Sequence, residues 1–153
     1  MKTAVVCANG KAGKLIVKEA VERGLDVTAI VRGENQSAAQ KVIRKDLFDL
    51  TAEDLEQFDV VVDAFGAWTK ETIPQHCTSL KHLCDILSGT ETRLLVVGGA
   101  GSLYLNPEHT SYLMDGADFP EAFKPLAASQ AKSLEEAHLR RWCLSLVLRG
   151  EKS

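Results

Sequence analysis

Val5-Val6-Cys7-Ala8-Asn9-Gly10-Lys11-Ala12-Gly13-Lys14-Leu15-Ile16 carries the change of pattern that decides the fold. Residues 3–7 form a short apolar, valine-containing run, which reads as a strand. Gly10 and Gly13 follow, and residues 11–23 then read as a helix with Leu15, Ile16, Ala20 and Val21 on one stripe. Gly24 is its expected stop. Glycines at a strand-to-helix turn let a diphosphate approach the backbone and let the helix pack closely on the strand. The first N–H groups of the helix lack intrahelical acceptors and carry a positive partial charge, which suits an anion. A G-x-x-G alone is more often structural than functional. Its place in the first β-α unit is what points to a nucleotide.

The pattern repeats outward from this turn. Residues 27–31, 42–44, 60–65, 93–97 and 144–148 read as strands, several of them apolar on both faces. Thr51 with Asp54 resembles a capping box for a short helix ending near Phe58. Residues 74–88 read as a helix stopped by Gly89, and residues 122–141 as a helix with Pro125 near its start. Alternating strand and helix predict a doubly wound α/β fold of about six parallel strands in the order 3-2-1-4-5-6, with residues 1–153 as one Rossmann domain. Ligands in such sheets bind beyond the carboxyl ends of the strands, here residues 7–14, 32–34, 46–48, 64–69 and 98–104.

Composition narrows the function classes. The 153 residues are 45% apolar and 25% charged, ordinary values for a globular domain. Eighteen basic against 21 acidic residues leave a net charge of −3, with no run of five like charges. That balance provides no bulk basic field for nucleic acid, so an anionic ligand must be held by local groups. The apolar run at residues 4–8 is shorter than a signal-peptide core. The longest weakly polar stretch, residues 94–105, holds three glycines and is too short to span a bilayer. A cytoplasmic protein is expected. Cys7, Cys77, Cys84 and Cys143 show no C-x-x-C and are expected as reduced thiols.

Cofactor choice rests on Arg32, which ends the second strand 19 residues after Gly13. An NAD site usually carries an acid about 20 residues on, to hold the ribose 2′-hydroxyl. An arginine there can pair with a 2′-phosphate, which favours NADP(H) over NAD(H). Glu34 lies close enough to keep NAD(H) as the alternative.

With these residues in place, the chain resembles the atypical short-chain dehydrogenase/reductase superfamily. Within it, the chain is most similar to a bacterial group ascribed NADH-flavin reductase activity, near the NmrA-like proteins and biliverdin reductase B. That group reads G-A-T-G-x-x-G after strand one, where Ala8-Asn9-Gly10-Lys11-Ala12-Gly13 stands here. Arg32 ends strand two in the same way. By resemblance, Asp46-Leu47 flanks adenine and Ala64-Phe65-Gly66-Ala67-Trp68 lies along the cofactor. The run from Leu94 through Gly98-Gly99-Ala100-Gly101-Ser102 to Leu103 is the most specific match and implies the nicotinamide-side loop. Ser79-Leu80-Lys81-His82-Leu83, Phe119-Pro120 and Lys124-Pro125 also fit, and the resemblance covers roughly residues 1–136. It implies hydride transfer from a nicotinamide dinucleotide to a flavin, FMN or FAD, or a similar planar acceptor.

Two departures are visible. Cys7 replaces the first glycine of the loop; if its backbone takes a glycine-only conformation, the cost is about 1–3 kcal/mol. A reactive thiol at the helix N-terminus is a second reading of Cys7. Family members also continue past the sixth strand, where much of the substrate pocket forms, and residues 140–153 match them poorly. A shortened relative is therefore expected, with an edge strand open to homodimerisation.

The Tyr-x-x-x-Lys pair of typical short-chain dehydrogenases is missing, because Tyr104 and Tyr112 are followed at that spacing by Glu108 and Gly116. Flavin reduction chiefly needs two rings stacked in a near-attack arrangement. Ser102 is the candidate catalytic hydroxyl, with a turn-capping role equally open. Phe65 and Trp68 are candidate walls of a ring pocket or plain core. No metal site is expected from His76, His82, His109 and His138. A non-catalytic NADP-binding sensor of the NmrA kind is the alternative from a different class.

Overall fold

The computed structural model describes residues 1–138 and the backbone of residues 144–149. Its six strands are β1 (Lys2–Val6), β2 (Asp26–Val31), β3 (Lys41–Arg44), β4 (Val60–Asp63), β5 (Arg93–Gly99) and β6 (Leu144–Arg149). Every pairing is parallel, and the order is β3-β2-β1-β4-β5-β6, as expected. The helices are α1 (Lys11–Glu22), α2 (Ala52–Leu55), α3 (Gln75–Ile86) and α4 (Lys124–His138).

Alternation along the strands explains why both faces are covered. Ala4 and Val6 of β1 pack with Ile30, Val61 and Leu94 against Leu80, Leu83 and Cys84 of α3. Val5 points the other way and packs with Ala29, Val31 and Val62 against Val17 and Ala20 of α1.

Local chemistry sets most element ends. The Thr51–Asp54 capping box is formed, although α2 stops at Leu55 rather than near Phe58. Gly24 and Gly89 hold φ of +72° and +74° after α1 and α3, a conformation that costs glycine nothing sterically. β4 ends at Asp63, two residues before its expected end, and β5 continues two residues beyond its expected end to Gly99. A 3-10 turn at Glu121–Phe123 precedes α4. The expected helix residues 139–141 lie outside the described residues.

The stripe expected on α1 is borne out at Ala20, which is buried, and at Ile16, which packs on the core, and is corrected at Leu15 and Val21. Its buried residues are Gly13, Val17 and Ala20, whereas Leu15 is 65% and Val21 40% exposed. Gly13 sets this orientation. A Cβ there would lie 2.4 Å from the Cys7 carbonyl oxygen and 2.8 Å from Ala8 Cα, so position 13 must face the strand and carry no side chain. Positions 17 and 20 follow it on the same face.

Candidate dinucleotide-binding site

The parallel sheet brings every expected cofactor segment to one edge, because each follows the carboxyl end of a strand. After β1, Cys7 turns the chain with φ +59°, inside the left-handed region that a glycine would occupy without strain. The Gly10 N–H then donates to the Cys7 carbonyl at 3.0 Å. Gly10 is the N-cap of α1 and supplies no side-chain acceptor to the helix, so no cap competes with an anion for its first amides. Lys11 is exposed beside them.

Asn9 ties this turn to the next one. Its Nδ2 donates to the Glu34 carbonyl at 2.7 Å, and its Oδ1 accepts the Gln36 N–H at 2.8 Å. Lys14 Nζ reaches Gln36 Oε1 at 3.0 Å. The loop after β2, which begins with Arg32, is thereby held beside the phosphate turn. The Arg32 side chain is 84% exposed, and its Nη1 lies 4.0 Å from Asp46 Oδ2. An ion pair so long and so exposed holds the guanidinium only weakly. Asp46 also caps the 3-10 turn Leu47–Asp49, its Oδ1 accepting the Phe48 N–H at 2.9 Å. Leu47 is buried in the core.

The segment after β4 carries Ala64, Phe65 and Gly66. Phe65 packs edge-to-face on His76 with ring centroids 5.3 Å apart. His76 is buried, with Nε2 3.3 Å from the Ala67 N–H nitrogen and 3.2 Å from its carbonyl oxygen. Burial holds its imidazole below the ordinary histidine range. Trp68 is 62% exposed, which rules out its reading as plain core.

Gly98, Gly99, Ala100 and Ser102 form the end of β5 and a 3-10 turn beneath α4. Close packing explains Gly101, whereas the group beside Gly99 is the movable end of a glutamine side chain. A Cβ on Gly101 would lie 2.6 Å from Ala127 Cβ, and one on Gly99 would lie 2.6 Å from Gln130 Oε1. Ser102 Oγ donates to the Gly99 carbonyl at 3.1 Å, which is the turn-capping role. Its lone pairs remain free of that bond.

Cys7 and Cys77 are free thiols, Cys84 is buried in the core, and Cys143 lies outside the described residues. The reactive-thiol reading of Cys7 is corrected. Burial first, and the Asp63 carboxylate second, push its thiol up to about 12, so the nucleophilic thiolate is scarce at neutral pH. Tyr112 donates a short hydrogen bond to Glu135 and lies 3.3 Å from the Tyr104 hydroxyl. That carboxylate raises its phenol, opposite to the shift a proton-relay tyrosine needs. No group of His, Cys, Asp or Glu among the described residues has a metal-binding arrangement. No helix among them is long and apolar enough to cross a membrane.

The pattern reading passed over Asp63, which is 4% exposed at the end of β4. Its signal was present as an acid closing an apolar Val60-Val61-Val62 run.

A family profile described as NAD(P)H-binding matches residues 7–145. The chain belongs to this NAD(P)H-binding family. The matched span contains every candidate residue from Ala8 to Ser102, and a nicotinamide dinucleotide is the cofactor class it implies. This NAD(P)H-binding chain is 45% identical over 139 residues to the uncharacterized protein YwnB of Bacillus subtilis (strain 168), covering 89% of the chain and 65% of that protein. It thus spans just under two thirds of that relative. SP1627 from Streptococcus pneumoniae TIGR4, to which an NADH-flavin reductase function is ascribed, superposes with a TM-score of 0.93 at 51% identity, covering 100% of this chain and 77% of that one. A Lactobacillus casei structure matches with a TM-score of 0.79 at 28% identity, over 97% of this chain and 72% of that one. The NAD(P)H-binding chain is therefore an atypical short-chain dehydrogenase/reductase relative on both sequence and fold.

Proposed function

We propose that this chain binds NADPH in preference to NADH and delivers its hydride to a flavin or similar planar acceptor. The observation that carries the cofactor half is the pairing of an uncapped helix N-terminus at Gly10 with an exposed, weakly held Arg32. The residues fit a dinucleotide. Amides of Lys11, Ala12 and Gly13, with Ala8, Asn9 and the Lys11 ammonium, would hold the diphosphate. Arg32 would take the 2′-phosphate in bidentate fashion. The Asp46 carboxyl and the Leu47 backbone would flank adenine. Ala64, Phe65, Gly66, Gly98, Gly99 and Ala100 would line the nicotinamide end, with Ser102 nearest the reacting ring. When bound, the dinucleotide supplies the hydride; the protein's task is to orient the two rings and exclude water. The function ascribed to SP1627 supports the flavin as acceptor.

The sensor reading has one observation in its favour. The described cavity beside Ser102 is about 20 Å³, room for a water rather than for a ring. Calorimetric titration with NADPH and NADH, followed by steady-state NADPH oxidation with FMN and FAD, separates the two. Turnover supports the reductase, and tight binding without turnover supports the sensor. Absence of NADPH binding overturns both. β6 forms one edge of the sheet, opposite β3, and pairing across it would give the homodimer; light scattering that finds a monomer removes that part.

A further inference from the structure

Asp63 is buried where the cofactor groove makes no direct use of it. Its Oδ1 accepts the Phe65 N–H at 3.0 Å, and among the described residues no cation pairs with it. The carboxyl borders the cavity of about 20 Å³, whose other walls include His76 and Ser79 of α3, Gly98 and Ser102 at the end of β5, and Gln130 and Ser133 of α4. Apolar side chains, among them Phe65, Leu80 and Val96, complete the lining, and a void of this size holds one water where two to four polar groups meet it.

The hydrogen-bond directions around the cavity matter most. Ser102 Oγ donates to the Gly99 carbonyl at 3.1 Å, Ser79 Oγ to the His76 carbonyl at 3.4 Å, and Ser133 Oγ to the Gln130 carbonyl at 2.8 Å. Each hydroxyl thus has a backbone oxygen within reach of its one hydrogen, and its remaining hydrogen-bonding capacity is as an acceptor. Such surroundings disfavour a carboxylate and favour a carboxylic acid, which can donate. The titratable groups facing Asp63 are Cys7 beyond β1 and His76 on α3, while β5 and α4 present uncharged groups among the described residues. Burial pushes Asp63 up to about 6, against the single opposing hydrogen bond from Phe65.

We propose that Asp63 is the internal proton reservoir of the site, passing its proton through one cavity water and the Ser102 hydroxyl to the planar acceptor as that acceptor takes up hydride. This rests on the reductase reading above. In the step, the Asp63 O–H bond breaks and an O–H bond forms on the water. For this transfer Ser102 Oγ turns its hydrogen from the Gly99 carbonyl to the acceptor, releases it to a ring nitrogen and takes a proton from the water in its place. The hydride pair comes from the reduced nicotinamide, and the carboxylate recovers its proton from bulk water. Asp63 touches neither ring and acts through Ser102, so it is a positioning and proton-supplying residue.

The test has two readouts. In the ligand-free protein, carboxyl-carbon NMR of wild type and Asp63→Asn should show one resonance titrating near pH 6 in wild type and missing in the variant. In NADPH-dependent FMN reduction, wild-type kcat should fall as pH rises through about 6. Asp63→Asn should lower kcat at least tenfold and flatten that profile, with the NADPH dissociation constant changed less than twofold. Asp63→Glu should restore part of the profile, and Ser102→Ala should lower kcat at low pH while the Asp63 resonance still titrates. A carboxyl titrating near 4, or an active Asp63→Asn with the wild-type pH profile, overturns the role of Asp63 alone. Wild type that binds NADPH but reduces no flavin overturns the reductase reading, and this proposal with it. If Asp63→Asn does not fold, the wild-type carboxyl titration and the Ser102→Ala profile decide the matter in the same directions.

Discussion

Cys7 holds φ at +59° in the turn before Gly10, and this single torsion bears on how tightly the site closes. The left-handed conformation costs a side-chain-bearing residue about 1–2 kcal/mol. Glycine would relieve that cost but bring a larger entropy loss of about 0.5–1 kcal/mol on folding. Stability is therefore a poor readout for Cys7→Gly, and affinity is the better one. The substitution is expected to tighten NADPH binding severalfold, because the turn can then adjust to the diphosphate without strain; an unchanged dissociation constant by calorimetry counts against this. Arg32 belongs to the same scale. Arg32→Ala should weaken NADPH binding by roughly 1.5–3 kcal/mol, the value of a charge-assisted contact, and leave NADH unaffected. Equal losses for both cofactors would show that Arg32 does not read the 2′-phosphate.

Elements are held in place here by what glycine leaves out and by what asparagine spans. Gly101 lets α4 (Lys124–His138) rest on the turn after β5 at a distance that no Cβ would allow. Gly101→Ala should push the helix away at a cost of about 1–3 kcal/mol, or several degrees in Tm by thermal unfolding. An unchanged Tm would mean that Phe119 and Ala127 yield freely. Asn9 joins two loops with a pair of hydrogen bonds. Asn9→Ala should release the Gln36 amide to faster hydrogen exchange and loosen the loop that carries Arg32. The α1 stripe shows the same control by close approach. Hydrophobicity alone favours Leu15 and Val21 inside, yet the contact of Gly13 with the Cys7 carbonyl turns them out.

Among the described residues, the buried Asp63 carboxyl couples the stability of the whole molecule to pH. Burial pushes the Asp63 carboxyl up to about 6 in the fold, against 3.8 when unperturbed. Between these values the unfolded chain loses a proton that the folded chain keeps, so stability falls as pH rises from about 4 to 6 and is level above. The loss is on the order of 3 kcal/mol. Asp63→Asn should remove it, making the variant more stable than wild type near pH 7 and nearly equal below pH 4 in denaturant titrations. A pH-independent difference would assign the effect to packing instead.

The chain's local grammar was sufficient for the sheet order, the glycine stops and the Thr51–Asp54 cap, because strand alternation, helix period and turn chemistry act over a few residues. It placed residues 7–13, 32, 46–47, 64–66 and 98–102 after the carboxyl ends of the strands, since parallel strands must present those ends together. Contacts between segments far apart in the chain decided the rest. Gly13 against the Cys7–Ala8 backbone chose the buried face of α1, and α4 against Gly101 set the loop after β5. Asp63 became a raised acid only when α3, α4 and β5 closed over it. Steric exclusion and desolvation depend on what arrives from elsewhere in the chain, and no local pattern encodes them.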